Sequence, residues 1–220
     1  MKKEEDLIVA TAPWVLMGRG YIILIKLSPK FVIDKGFVPE TLSGFFTGGL
    51  GTIMYMDYIF SDVGPYKELL FIPGKFSFDG INRFSITKIY VSTMASVING
   101  QNNWGIPKEL ADFEVINDGS IDRIRISKDN RLCAELCFRS YPFSIPVTTS
   151  VVPSRLHTLV QLHGGKKYIT TPKARGAISF ARLTGATIDE SLFPDFTQGR
   201  IFCAAMVPRF LMVFPKATIL

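Results

Sequence analysis

Apolar and polar side chains alternate along most of this chain with a period near two, the pattern of strands whose opposite faces look into different surroundings. Tyr21 to Leu27, Thr52 to Phe60, Phe84 to Val97 and Val147 to Val152 are rich in Ile, Val, Phe, Tyr and Thr, and each predicts a strand. The alternation is cleanest from Phe113 to Arg139. Asp118-Gly119 marks one tight turn and Asp129-Asn130 another, so three strands follow one another as an antiparallel meander. In the middle strand Ile124 and Ile126 share a face opposite Arg123 and Arg125. In the third, Leu132, Ala134, Leu136 and Phe138 lie opposite Cys133, Glu135, Cys137 and Arg139.

Helical signals are few. Phe31 to Val38 predicts a short helix, with Ser28 as N-cap and Pro29 in the first position. Ile106 to Phe113 predicts one or two turns opened by Pro107. No stretch keeps the 3.6-residue period of a bundle, and strands do not alternate with helices as a parallel sheet requires. The expected fold is mainly β: an antiparallel, barrel-like sheet with a few short helices, in one domain spanning residues 1–220.

Composition narrows the function classes. At 47% hydrophobic and 20% charged residues the chain buries a core and is not disordered. The net charge of +6 is uneven: residues 1–150 carry 16 basic and 16 acidic side chains, residues 151–220 carry 9 and 3. The positive charges are dispersed rather than blocked, which argues against a nucleic-acid partner. Three cysteines fit a reducing cytoplasm better than a disulfide-stapled secreted fold. Met1-Lys2-Lys3 looks like the basic start of a signal peptide, but Glu4, Glu5 and Asp6 follow at once and Pro13 interrupts the apolar stretch Leu7 to Met17, so ordinary chain is expected here. The apolar run Ile201 to Phe214 is too short to span a bilayer and holds Pro208 and Arg209. The expectation is a soluble, cytoplasmic protein without a membrane partner.

Common catalytic signatures are missing. The glycine-rich stretch Gly44 to Gly51 lacks the Lys-Ser/Thr of a phosphate loop. His157 and His163 stand apart from any zinc-type grouping and read as structural. Cys133, Glu135 and Cys137 share one strand face, where ligands seldom converge on a metal, so none is expected. Gly164 to Arg175 concentrates four positive charges and reads as a solvated hairpin. The segment that stands out is Asn103-Trp-Gly-Ile-Pro-Lys-Glu-Leu110. Trp104 and Ile106 would set Lys108 in apolar surroundings, and a turn opened by Pro107 would place it near the positive end of the peptide dipoles. Both disfavour an ammonium ion. A neutral lysine amine is a nucleophile that forms a Schiff base with a ketone. The same spacing also fits an exposed lysine in a first turn with its head in water.

This segment resembles the active-site stretch of the acetoacetate decarboxylase family, where an aromatic or Ile-Pro-Lys-x-Leu run carries the Schiff-base lysine. Other anchors fall in the same order: Arg19-Gly-Tyr21, Phe37-Val-Pro-Glu-Thr-Leu42, Gly64-Pro-Tyr-Lys-Glu68 and Met206-Val-Pro-Arg-Phe210. The resemblance runs from about Arg19 to the end of the chain. It implies a cofactor-free lyase in which Lys108 forms an imine with acetoacetate or a similar small β-keto acid. It gives Glu68 the handling of protons or of the bound acid, and Arg19 a pairing with the substrate carboxylate or with Glu68. Trp104 and Ile106 would line the substrate pocket. It also implies assembly into a homo-oligomer.

The sequence departs from the family in two places. Glu109 follows Lys108 where the family enzyme has a second lysine, and Asp57 is the one acid near the place of its second glutamate. A changed acid set fits an aldolase or dehydratase acting on keto acids through the same lysine. A third reading is a non-enzymatic barrel that binds a small carboxylate through Arg19.

Overall fold

Strand-forming alternation becomes a single large sheet with two differently covered faces. In a computed structural model that describes residues 8–220, the chain opens on the long strand β1 (Trp14–Lys26) and continues through two short helices, α1 (Pro29–Lys35) and α2 (Glu40–Ser43). The acidic run at Glu4 to Asp6 lies outside the described residues. Next come β2 (Phe46–Gly48), β3 (Gly51–Phe60), β4 (Tyr66–Ile72), β5 (Lys75–Phe78), β6 (Ile81–Phe84) and β7 (Lys88–Val91). Helix α3 (Met94–Trp104) leads to β8 (Lys108–Leu110) and the meander β9 (Asp112–Asn117), β10 (Asp122–Lys128) and β11 (Arg131–Thr148). The chain ends with the hairpin β12 (Leu159–His163) and β13 (Lys166–Thr170), then β14 (Lys173–Ile188), β15 (Arg200–Phe214) and β16 (Thr218–Ile219).

Ten strands form the main sheet in the order β8-β7-β4-β3-β1-β15-β14-β11-β10-β9, and six shorter ones form a second sheet in the order β16-β13-β12-β6-β5-β2. The expected mainly β, barrel-like fold is what the chain adopts. One face of the main sheet encloses a core of Tyr21, Ile23, Ile53, Tyr55, Phe71, Ile124, Leu136 and Phe138. Tyr21 stacks on Phe138 with ring centroids 4.1 Å apart. The other face packs against α3 and the second sheet through Trp14, Met56, Tyr58, Leu70, Ile89, Trp104 and Tyr168. The strands therefore bury both faces, which is why many of them read as apolar runs.

The edge strands β8 and β9 are consecutive in the chain, with Ala111 alone between them, so the two ends of the main sheet are brought together. Glu109 ties this seam. Its carboxylate lies 2.6 Å from Lys88 Nζ on β7 and 2.6 Å from Lys128 Nζ on β10. Lys88 also sits over the rings of Phe37 and Tyr90, each 4.7 Å away. Burial pushes the Glu109 carboxyl up, but the hydrogen bonds and charges of Lys128 and Lys88 outweigh it and hold the group below its ordinary value.

Three expectations are corrected. Phe84 to Val97 is not one strand: it contains β6, β7 and the start of α3. The N-cap Thr93 accepts from the Ser96 amide at 3.3 Å, and Gly105 ends the helix in the left-handed region at φ 62°. Its β-branched residues, Val97 and Ile98, are what mimic a strand. Ile106 to Phe113 is not helical but forms β8 and the start of β9, so Lys108 has no helix dipole behind it. Val147 to Val152 leaves β11 for a 3-10 turn at Thr149–Val151. The meander, its two turns and the hairpin at Gly164-Gly165 form where the sequence puts them; the helix capped by Ser28 forms too, but ends at Lys35 with Gly36 as its C-cap, short of the expected Val38.

Glu109→Gln removes the charge that both lysines share and leaves Lys88 buried without its partner. With the carboxylate about a third exposed, the expected loss of stability is about 1–2 kcal/mol at neutral pH, measured by urea denaturation. Because the folded carboxyl lies below its unfolded value of 4.5, the wild-type advantage is complete above that pH. It disappears as the pH falls through the folded value.

Candidate active site

Lys108 extends from β8 into a cavity between the main sheet and its cover of α3 and the second sheet. The strand pairs in parallel with β7, Ile89 opposite Lys108 and Tyr90 opposite Glu109. Alternation then points Lys108 toward the cavity and Glu109 toward the seam. Gln101 of α3 holds β8 from above, its side-chain amide donating to the Lys108 carbonyl at 3.0 Å.

The lysine is 5% exposed and so is Glu68, and they form an ion pair with Nζ 2.9 Å from Oε2. The ammonium also donates to Ser96 Oγ at 3.0 Å and to the Tyr66 hydroxyl at 3.4 Å. Its Nζ lies 4.9 Å from the Tyr66 ring centroid. Tyr58 completes the group by donating its hydroxyl to Glu68 Oε1 at 3.3 Å. Register explains the cluster. Tyr66 and Glu68 are two apart on β4 and share a face, and Tyr58 stands directly opposite Tyr66. Burial, and then the charge of Glu68, push both tyrosine hydroxyls well above their ordinary value. Both remain protonated at any physiological pH.

The cavity has a volume of about 450 Å³. Trp104 and Ile106, the expected pocket residues, line it beside Lys108 and are 2% and 4% exposed. Trp104 is fixed by edge contacts with Trp14 and Phe214 at 4.9 and 4.7 Å, and by a hydrogen bond from Nε1 to the Pro215 carbonyl. Leu16, Met54, Leu70, Phe84 and Ile86 extend the apolar wall, while Arg175 and His157 contribute from the last third of the chain.

Arg19 is the expected site residue that the structure places elsewhere. It faces the other side of the main sheet from Glu68, opposite Asp57 on β3, with Nε 3.7 Å from Asp57 Oδ2. Lys67 approaches the same carboxylate from β4 at 3.6 Å. Arg19, Asp57 and Lys67 thus form a cross-strand charge ladder, and neither Arg19 nor Asp57 lines the cavity. The period-two rule carries the signal: Lys67 and Glu68 are neighbours, so their partners must lie on opposite faces.

Three members of the cluster were not singled out from sequence. Tyr66 was legible by period, two residues before Glu68. Tyr58 requires the β3–β4 register, and Ser96 requires α3, which reads as strand. The helix has a further duty at Gly100, where a Cβ would lie 2.6 Å from Lys108 Cδ and 2.9 Å from Cε. No metal-holding group of His, Cys, Asp or Glu occurs among the described residues. No helix among them is long and apolar enough to cross a membrane.

Comparison with known proteins agrees with the geometry. The sequence profile described as acetoacetate decarboxylase (ADC) matches residues 31–153. No curated protein sequence matches. Among solved structures, an acetoacetate decarboxylase from Legionella pneumophila subsp. pneumophila str. Philadelphia 1 superposes with TM-score 0.69 at 12% identity, covering 100% of this chain and 92% of that one. An acetoacetate decarboxylase-like enzyme from Sphingomonas wittichii RW1 gives 0.68 at 12% identity, with 97% and 94% covered. The enduracididine biosynthesis enzyme MppR, complexed with the condensation product of pyruvate and imidazole 4-carboxaldehyde, gives 0.63 at 13% identity, with 98% and 92% covered. At these identities the structural likeness is one of fold.

In a helix interior Gly→Ala ordinarily stabilises by about 1 kcal/mol. Gly100→Ala is expected to reverse that sign, because the new methyl must displace a lysine side chain packed among Ser96, Tyr66 and Glu68. Urea denaturation should show a net loss of about 1–3 kcal/mol.

Proposed function

Since the chain belongs to the acetoacetate decarboxylase family, we propose that it is a Schiff-base decarboxylase of acetoacetate or a similar β-keto acid, with Lys108 forming the imine. The observation that carries this reading is a buried lysine at an apolar cavity with a single carboxylate, Glu68, 2.9 Å from its nitrogen. Glu68 takes the ammonium proton, and the freed amine attacks the ketone carbon. Return of the proton expels water from the carbinolamine and leaves an iminium ion.

The substrate is then a zwitterion, with an iminium at Lys108 and a carboxylate two bonds away. The C–C bond to the carboxylate breaks, and its electron pair forms the enamine double bond while the C=N pair moves onto nitrogen. Carbon dioxide leaves and the product is neutral. Annihilation of two charges is favoured in surroundings as apolar as Trp104, Ile106 and Leu70 provide. Glu68, a carboxylate again after returning the ammonium proton, relays one from solvent water to the enamine carbon, and water then hydrolyses the resulting iminium to release the ketone and the free amine.

Tyr58 holds Glu68 in place, and the Tyr66 and Ser96 hydroxyls orient the amine. Arg19, on the far face, has no part in these steps. Glu109 does not oppose them either, since its charge is turned to the seam and shared by two lysines. Exposed Arg175 at the cavity rim supplies local positive charge that draws an anionic acid inward.

The aldolase or dehydratase reading keeps a specific support in the likeness to MppR, whose structure holds a condensation product of pyruvate. Borohydride reduction with acetoacetate present separates the readings. The expected outcome is a stable adduct on Lys108 by peptide mass spectrometry, with release of carbon dioxide at turnover. A Lys108 adduct without carbon dioxide selects the aldol chemistry, and no adduct at all removes both. Lys108→Met alone leaves Glu68 buried and unpaired, at a cost of about 3–5 kcal/mol. The matching loss-of-function test is therefore Lys108→Met with Glu68→Gln, expected to fold and to lose at least a thousandfold in kcat/KM.

A further inference from the structure

The cavity is much larger than a four-carbon keto acid requires. It holds about 450 Å³, whereas such an acid fills on the order of 100 Å³, the space of three or four waters at about 30 Å³ each. The cavity lining is spread along β1. Trp14 and Ile22 both line the floor from β1, and the strand between them runs on the order of 25 Å at roughly 3.3 Å per residue. The polar groups that touch Lys108 are gathered at one place, Glu68, Tyr66 and Ser96. Away from them the wall is chiefly hydrocarbon, from Leu16 and Phe214 to Met54, Leu70, Phe84 and Ile86. Water in such a space finds few hydrogen-bond partners. A short polar acid leaves most of it unfilled.

We propose that the substrate is a 3-oxo acid with a hydrocarbon tail of about six carbons or more, its carbonyl at Lys108 and its tail laid along this apolar floor. The inference rests on the Schiff-base reading and uses the same chemistry. The bond between the carboxylate and C2 breaks, carbon dioxide leaves, C2 takes a proton, and hydrolysis returns a long-chain methyl ketone and the free amine. Each methylene moved from water to the floor should tighten binding about fourfold until the floor is full.

Trp14 and Trp104 are the chain's two tryptophans, and both line the cavity, so intrinsic fluorescence reports its occupancy without any chemistry. Titration of the wild-type protein with 2-butanone, 2-hexanone, 2-octanone and 2-decanone should give dissociation constants that fall about fourfold per methylene. The kcat/KM values for freshly prepared 3-oxobutanoate, 3-oxohexanoate, 3-oxooctanoate and 3-oxodecanoate should rise in parallel. Met54→Trp, which fills the floor between Leu70 and Ile22, should lower the ratio of 3-oxodecanoate to 3-oxobutanoate turnover at least tenfold. Ketone affinity independent of chain length, or turnover greatest with 3-oxobutanoate, overturns the proposal. Length-dependent ketone binding without any borohydride adduct keeps the tail assignment and removes the Schiff-base reading. Equal trapping of all four acids does the reverse.

Discussion

Period-two alternation across Lys108 and Glu109 is the constraint on which both barrel and site depend. A strand of three residues, β8, carries opposite charges on adjacent positions and must send them to opposite faces. On one face Lys108 meets Glu68 inside an apolar cavity; on the other Glu109 joins Lys88 and Lys128 across the two ends of the main sheet. The site lysine is therefore anchored by the same short strand that helps to close the fold. A slip of one residue would exchange the two charges, leave the seam with a cation facing two lysines, and give the cavity a carboxylate facing Glu68. Both faces thus oppose the same error, which makes the register of this strand more strongly specified than its length suggests.

The cost of burying Lys108 and Glu68 is offset only by their contact with each other and by the hydroxyls around them. A pair of this kind contributes little net stability compared with well-packed hydrocarbon, and removing one member alone is costly. Its presence is better understood as preparation for chemistry. The surroundings that make the pair expensive also make transfer of its proton consequential, because a lysine that loses its proton in an apolar cavity is a competent nucleophile. Tyr58 and Tyr66 are held protonated by burial and by the Glu68 charge; Tyr58 keeps that carboxylate in position without competing for its role, and Tyr66 contacts the amine.

Local pattern made some of this legible before any coordinates. The meander from Asp112 to Thr148 follows from alternation and two turn signals, because β10 and the first half of β11 bury one face and the turns are short. Lys108, Glu68, Trp104 and Ile106 are named by motif, and all four line one cavity. What stayed hidden depends on elements whose local signal is weak. The β-branched Val97 and Ile98 disguise α3, so Ser96 and Gly100 could not be placed over Lys108. Arg19 was assigned by motif order, but its face is set by register with Asp57, which a linear pattern does not carry. Glu109 reads in the sequence only as a departure from the family, because two partners distant in sequence, Lys88 and Lys128, are out of view.

Decarboxylation and aldol addition share one intermediate, an enamine on the lysine, reached from different sides. Which reaction a site favours depends on what else it can hold. An aldol reaction needs a second carbonyl compound beside the enamine and a proton donor for its new alkoxide, hence polar groups on two sides of the reacting carbon. In this chain the polar groups that contact the amine are confined to Glu68, Tyr66 and Ser96, while the space beyond is lined chiefly by hydrocarbon. An iminium–carboxylate pair in that space gains by losing its charge, and carbon dioxide is the uncharged way out. The apolar floor that suits a long tail thus also favours loss of the carboxylate, so the breadth of the cavity and the reaction proposed for it have the same physical origin.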